Sequence, residues 1–240
     1  MKLLGRKALV TGSGVRLGRA IAQGLAEAGC DVALQYRRSA EGVAATAAGI
    51  AAVGRRGVEL RADLTDVGAC RALVEAARAE LGGLDILVNN AALFEPGDLA
   101  TTTLEAWEAQ LALNLRAPFF LCQAFAGSGD GGKIINVTDS RARRPGRGHL
   151  AYRLTKVALN HLTELLALEL APRFTVNAVA PGAMLAAVGD DESALAARVD
   201  AAVPLRRAGG AQPVVDAVLY LLGEDFVTGV VLPVDGGEYL

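Results

Sequence analysis

Apolar segments of strand length alternate with segments of helical period from one end of this chain to the other. The strand candidates are Lys7–Val10, Asp31–Tyr36, Gly57–Arg61, Ile86–Asn89, Lys133–Val137, Thr175–Val179 and Val230–Val234. Helical patterns at Arg16–Ala28, Ala40–Val53, Asp66–Leu81, Leu104–Phe125, Ala151–Ala171 and Pro213–Leu222 fill the intervals. Strands joined through helices run parallel, and right-handed crossovers place those helices on both faces of the sheet. The pattern predicts an α/β chain: one doubly wound domain over residues 1–240, built on a parallel seven-stranded sheet. A hydrophobic content of 52% suits it, because such strands are buried on both sides. Pro233 lacks a ladder donor, so the last strand is expected at the sheet edge. Gly127–Gly132 reads as a flexible loop. The run Asp190-Asp-Glu-Ser193 begins an insert after Pro181-Gly182. Inserts at the carboxyl ends of strands cover the ligand in such folds.

Composition removes several function classes. The formal net charge is −2, which gives no global attraction to nucleic acid or an anionic membrane. Cys30, Cys70 and Cys122 are odd in number and far apart, so neither disulfides nor zinc are expected. His149 and His161 are too few and too separate for a metal site. The apolar runs are shorter than a bilayer span. Met1 leads at once toward the first strand, leaving no room for a signal peptide, and a cytoplasmic protein is expected. The lysines are Lys2, Lys7, Lys133 and Lys156, whereas arginines abound. A lysine kept inside a motif therefore has added weight.

Thr11-Gly-Ser-Gly-Val-Arg-Leu-Gly18 lies between the first strand and the first helix. Here Gly12 permits a tight turn and Gly18 a close helix–strand approach, and backbone N–H groups around Gly14, Arg16 and Leu17 can reach a pyrophosphate. An ordinary βα turn is the alternative. The second strand ends Gln35-Tyr-Arg-Arg-Ser39, with no acid before Glu41. An acid near this point holds a ribose 2′-OH in NAD enzymes, whereas arginine favours the 2′-phosphate of NADP. Tyr36, Arg37, Arg38 and Ser39 are thus placed for NADPH/NADP, the guanidinium forks giving charge-assisted bonds; a solvated helix start is the alternative. Asp63 and Leu64, after the third strand, border the adenine, or Asp63 is a turn residue.

Tyr152-Arg-Leu-Thr-Lys156 opens the fifth long helix. Residues four apart share a helix face. A lysine there can hold the nicotinamide ribose and make the tyrosine easier to ionise, giving a general acid beside a hydride acceptor.

With Leu87-Val-Asn-Asn-Ala91, these motifs resemble the short-chain dehydrogenase/reductase family over essentially the whole chain. The resemblance implies a Rossmann fold, with Tyr152 as proton donor and Lys156 as its partner on the ribose. It implies that Asn114 shapes the intervening helix and holds a relay water, and that Asn90, Ala91, Ala92, Pro181 and Gly182 line the cofactor. It also implies a homotetramer acting on a small molecule.

Two departures narrow the resemblance. The family turn reads T-G-x-x-x-G-x-G, and Arg16 replaces its middle glycine. The family serine thirteen residues before the tyrosine is Asp139. Both are similar to the pteridine reductases and dihydromonapterin reductases, as is Phe94, which in that subgroup stacks a pterin on the nicotinamide. The resemblance therefore implies a pterin-like substrate held by Arg16, Phe94, Asp139 and Tyr152. A carboxylate at the serine position would repel the oxyanion of a reduced ketone, but it tolerates a C=N bond gaining a proton. Three alternatives stay open. Ser140 or Thr138 takes the serine's place after a local shift and the chain reduces ketones or 3-oxoacyl thioesters; Phe94 is core or an oligomer contact; or the chain is a non-catalytic NADPH sensor. Arg141, Arg143, Arg144 and Arg147 form a basic loop, read either as a solvated or subunit contact or as a site for an anionic substrate tail.

Overall fold

The computed structural model describes residues 3–185 and 192–240. Strands β1 (Lys7–Val10), β2 (Asp31–Tyr36), β3 (Gly57–Arg61), β4 (Ile86–Asn89), β5 (Gly132–Val137), β6 (Phe174–Pro181) and β7 (Val231–Val234) form one sheet in the order β3-β2-β1-β4-β5-β6-β7. Every neighbouring pair is parallel. The expected sheet is present, and Pro233 lies on the edge strand β7.

The strands are apolar throughout because alternate residues serve opposite layers. Ala8, Val10, Val32, Leu34, Ile86 and Val88 pack with helices α1 (Arg16–Glu27), α2 (Ala40–Ala52) and α8 (Gln212–Gly223). Leu9, Ala33, Leu87, Ile134 and Val176 pack on the other face with α3 (Val67–Leu81), α5 (Ala117–Gly127) and α6 (Leu150–Leu170). Strand order reverses between β1 and β4, so a crevice opens beyond their carboxyl ends.

Two expectations about helices need correction. The pattern over Leu104–Phe125 is not one helix. It is α4 (Leu104–Leu111), a π-helical turn at Ala112–Arg116, and α5. Periodicity cannot register one widened turn, because the apolar residues on either side keep their spacing. The second concerns the insert after Pro181-Gly182. Asp190 and Asp191 lie outside the described residues, and helix α7 (Glu192–Ala202) follows them. Its sequence has almost no amphipathic signal.

The interior holds a line of amides. Asn89 Nδ2 donates to Asn136 Oδ1 at 2.9 Å, and Asn136 Nδ2 donates to Thr163 Oγ1 at 2.9 Å. These groups are buried, and they tie β4, β5 and α6 together beneath the crevice. A buried donor left without its partner costs about 1–3 kcal/mol. Asn136→Ala is expected to lose at least that much stability, read as a lower urea midpoint with an unchanged slope.

Candidate active site

One cavity of about 730 Å³ occupies the crevice and contains most of the expected site. Its cofactor end is built on the first turn. Gly12 has φ +65°, a left-handed backbone that glycine adopts freely. A side chain on Gly18 would overlap the Gly12 carbonyl. Helix α1 starts without a side-chain cap and has no acid in its first turn. Its free N–H groups and positive dipole end therefore suit an anion. Thr11 Oγ1 accepts from the N–H groups of Asn90 (2.9 Å) and Ala91 (3.0 Å), and Asn90 Nδ2 donates to Thr11 O at 2.8 Å. These bonds fasten the turn to the end of β4. Arg16 also lines the cavity, with φ +54°. A non-glycine residue there is strained by roughly 1–2 kcal/mol.

Further along, Arg37 Nε pairs with Asp63 Oδ2 at 3.0 Å. Asp63 Oδ1 also accepts from the Thr65 hydroxyl (2.8 Å) and its N–H (3.0 Å). The Thr65 hydroxyl, then its N–H and the neighbouring guanidinia, hold the Asp63 carboxyl below its ordinary range. Arg37, Asp63 and Leu64 line the cavity; Arg38 is exposed beside it.

At the chemical end, Tyr152 Oη donates to Asp139 Oδ2 at 2.8 Å. Asp139 Oδ1 accepts from Arg141 N at 2.7 Å, and the Arg141 guanidinium lies 3.5 Å from Oδ2. Phe94 stands edge-on to Tyr152, with centroids 4.7 Å apart. It stacks on His149 at 4.1 Å, and Arg141 Cζ lies over its ring at 4.9 Å. Lys156 Nζ donates to Val137 O at 2.9 Å and lies 5.7 Å from the Tyr152 ring centre.

The expectation that Lys156 eases ionisation of Tyr152 is not met. Burial, then the Asp139 charge and the hydrogen bond to it, push the Tyr152 hydroxyl well above its ordinary value, with Arg141 and Arg198 opposing. Burial pulls Lys156 down to about 8 against the pull of Asp139. The Tyr152 hydroxyl is thus a neutral donor aimed at a carboxylate, and the lysine lies below the ring, bonded to a carbonyl.

The chain matches the family model described as enoyl-(acyl carrier protein) reductase over residues 14–238. The chain belongs to the short-chain dehydrogenase/reductase family. Among solved members, it is 38% identical to a short-chain dehydrogenase from Burkholderia cenocepacia in complex with NADP, with a TM-score of 0.94 and full coverage of both chains. The FolM alternative dihydrofolate reductase 1 of Brucella canis, complexed with NADP, is 31% identical, with a TM-score of 0.94, covering 99% of this chain and 96% of that one. A curated relative, the 2-dehydro-3-deoxy-D-gluconate 5-dehydrogenase of Dickeya dadantii, is 36% identical over 98% of this chain and 96% of its own length.

Within this short-chain dehydrogenase/reductase, several expected residues lie behind the cavity wall. Gly14 backs onto Ser39, whose Oγ would sit 2.5 Å from an added Cβ. Tyr36 packs on the core. Asn114 lies in the π turn, where Oδ1 accepts from Leu93 N at 2.8 Å and Nδ2 donates to Leu93 O at 2.9 Å. It therefore holds the segment after β4 that presents Phe94. The described loop keeps Asp139, not Ser140, on Tyr152: Ser140 is fully buried, and the Thr138 hydroxyl bonds Val179 O. Sequence reasoning missed Gln35, His149 and Arg198, which also line the cavity, and weighed Arg141 only as part of the basic loop; of Arg141, Arg143, Arg144 and Arg147, Arg141 lines it. Gln35 had a signal, a polar residue closing an apolar strand. It accepts from Gly12 N and donates to Ala62 O. Among the described residues, no cluster could hold a metal ion and no helix is long and apolar enough to cross a membrane.

The lysine gives a stability test. Unfolded, Lys156 keeps its proton up to its ordinary 10.5; folded, it releases it near 8. Between these values the unfolded chain holds more protons, so stability rises with pH. The expected rise is at most about 1.4 kcal/mol per unit from pH 8 to 10. Urea titrations across that range check it, and Lys156→Met is expected to remove this contribution.

Proposed function

We propose that this chain is an NADPH-dependent reductase whose substrate is a dihydropterin or a related pterin-type ring. The observation that supports this best is the hydrogen bond from Tyr152 to Asp139. A ketone becomes an alkoxide as it is reduced, and a carboxylate beside it raises the barrier. A ring C=N becomes an amine, whose nitrogen must gain a proton. A carboxylate favours the protonated nitrogen, and a neutral Tyr152 hydroxyl is the adjacent donor. Phe94 is the flat apolar ring at that end; a flat substrate would stack on it, worth about 0.5–1.5 kcal/mol, in place of the His149 ring or the Arg141 guanidinium that lies over it. The strained Arg16 points the same way, since strain of this kind collects at ligand sites.

NADP(H) fits the other end. Bound there it would supply the hydride. The uncapped start of α1 and the Gly12–Gly18 turn suit its pyrophosphate, and Lys156 its ribose. Arg37 and Arg38 suit the 2′-phosphate, which would compete with Asp63 for Arg37. The NADP complexes of the Burkholderia and Brucella relatives support the cofactor, and the Brucella relative's name supports a pterin-type substrate.

A second reading is a reductase of ketones or polyhydroxylated carbonyls. It is favoured by relatives named for such chemistry, the gluconate-derivative dehydrogenase and the L-xylulose reductase of Bos taurus, the latter 36% identical over 99% of this chain.

Loss of NADPH absorbance with dihydromonapterin, dihydrobiopterin and dihydrofolate, set beside a 3-oxoacyl thioester and a diketone, separates the two. Pterin turnover with inert ketones is the expected result; the reverse overturns the proposal. Tyr152→Phe is expected to cut turnover on the order of 10²-fold or more while NADPH still binds. Asp139→Ser is expected to lower pterin turnover further than cofactor affinity. Level or higher pterin turnover in that variant would remove the main support.

A further inference from the structure

The loop that joins β5 to α6 starts and ends at the cavity. Asp139 and Arg141 line it from one end of the loop, and His149 from the other. Only the first part, Ser140–Arg143, forms a helical turn. Arg141, Arg143, Arg144 and Arg147 follow one another closely, and their like charges push the loop open. Its path therefore needs a hold from outside.

Arg153, the residue after Tyr152 on α6, lies across the neck of this loop. Its Nη1 donates to Arg141 O at 3.0 Å and its Nε to Gly148 O at 3.2 Å. The loop also rests on the guanidinium: a Cβ on Gly146 would lie 2.8 Å from Nη2 and 2.9 Å from Cζ. Both bonds run to main-chain carbonyls, so what they fix is the path of the backbone. The planar fork spans two carbonyls at once, which the single ammonium of a lysine does not reproduce.

The contacts close on the reacting hydroxyl. Arg153 holds the main chain of Arg141, Arg141 N donates to Asp139 Oδ1 at 2.7 Å, and Asp139 Oδ2 accepts from Tyr152 Oη at 2.8 Å. Since Arg153 and Tyr152 are neighbours, this ring of bonds begins and ends on α6. The carboxylate is thus placed relative to the helix that carries its partner. We infer that Arg153 is a positioning residue: it closes the loop at its neck and so keeps the Asp139 carboxylate on the Tyr152 hydroxyl during reduction. This rests on the reading that Tyr152 and Asp139 form the reducing end of the cavity.

The test uses whichever dihydropterin or ketone wild type reduces. Arg153→Met is expected to lower kcat on the order of tenfold or more, because slight misplacement of reacting groups is costly, with KM for NADPH unchanged. Arg153→Lys keeps the charge without the fork and is expected to fall nearly as far. Gly146→Val keeps the arginine but displaces its guanidinium from the loop, and is expected to act in the same direction. In all three the solvent deuterium isotope effect on kcat is expected to rise as proton delivery slows. Loss of folded enzyme, followed by thermal unfolding, would scale kcat without moving that ratio. Wild-type kcat in Arg153→Met, or a lower kcat with an unchanged isotope effect, overturns the inference and leaves the Tyr152–Asp139 reading standing. Full activity in Arg153→Lys overturns it too, since charge alone would then suffice. Undiminished turnover in Tyr152→Phe, or a wild type inert toward every pterin and ketone, removes that reading and the inference with it.

Discussion

Strands β1 and β4 end side by side, and the helical segments that follow them leave on opposite faces of the sheet. The gap this leaves would close or splay without a brace. Thr11 and Asn90 supply it, each bonding the other's backbone across the strand ends. The Gly12–Gly18 turn, the start of α1 and the Asn90–Phe94 segment all take their positions from that brace. The amides of Asn89 and Asn136 do the same work one layer down, joining β4 to β5 and, through Thr163, to α6. The helix bearing Tyr152 and Lys156 is thereby fixed relative to the turn.

Charge placement at the chemical end follows from burial. A carboxylate set against a buried tyrosine stabilises the neutral phenol and disfavours the phenolate. The same burial pulls the lysine toward release of its proton, and Asp139 resists. The three groups therefore hold the hydroxyl proton in place until something else accepts it. A serine at position 139 would leave the tyrosine without this upward push from a charge. The replacement of one short side chain thus changes what kind of reduced atom the site can stabilise.

Strain and incomplete satisfaction mark the parts of the cavity that a well-packed fold does not require. Arg16 adopts a left-handed backbone where the family turn has glycine. Arg198 and Glu238 leave one donor and one acceptor buried and unpaired. Neither arrangement helps the chain fold. Arg16 and Arg198 both line the cavity.

The alternation of apolar runs and helical periods determined the sheet, its parallel strands and the edge position of Pro233, because burial on both faces leaves a periodic trace in the sequence. Local motifs determined the glycine turn and the pairing of Tyr152 with Lys156, since both depend on residues close in the chain. The spacing from Asp139 to Tyr152 pointed to their contact through family likeness. It did not show that Asp139 would raise the tyrosine's pKa, which depends on desolvation from every side. The resemblance gave Asn114 a part in shaping its helix, but neither the π turn nor its bonds to Leu93, 21 residues away, could be read from the pattern. Arg198 and Glu238 lie 40 residues apart on elements with no shared pattern. Only the tertiary fold, in which α7 packs on Ala183 and Arg198 meets Glu238 of the C-terminal turn, brings them together, and long-range packing is what sequence periodicity does not encode.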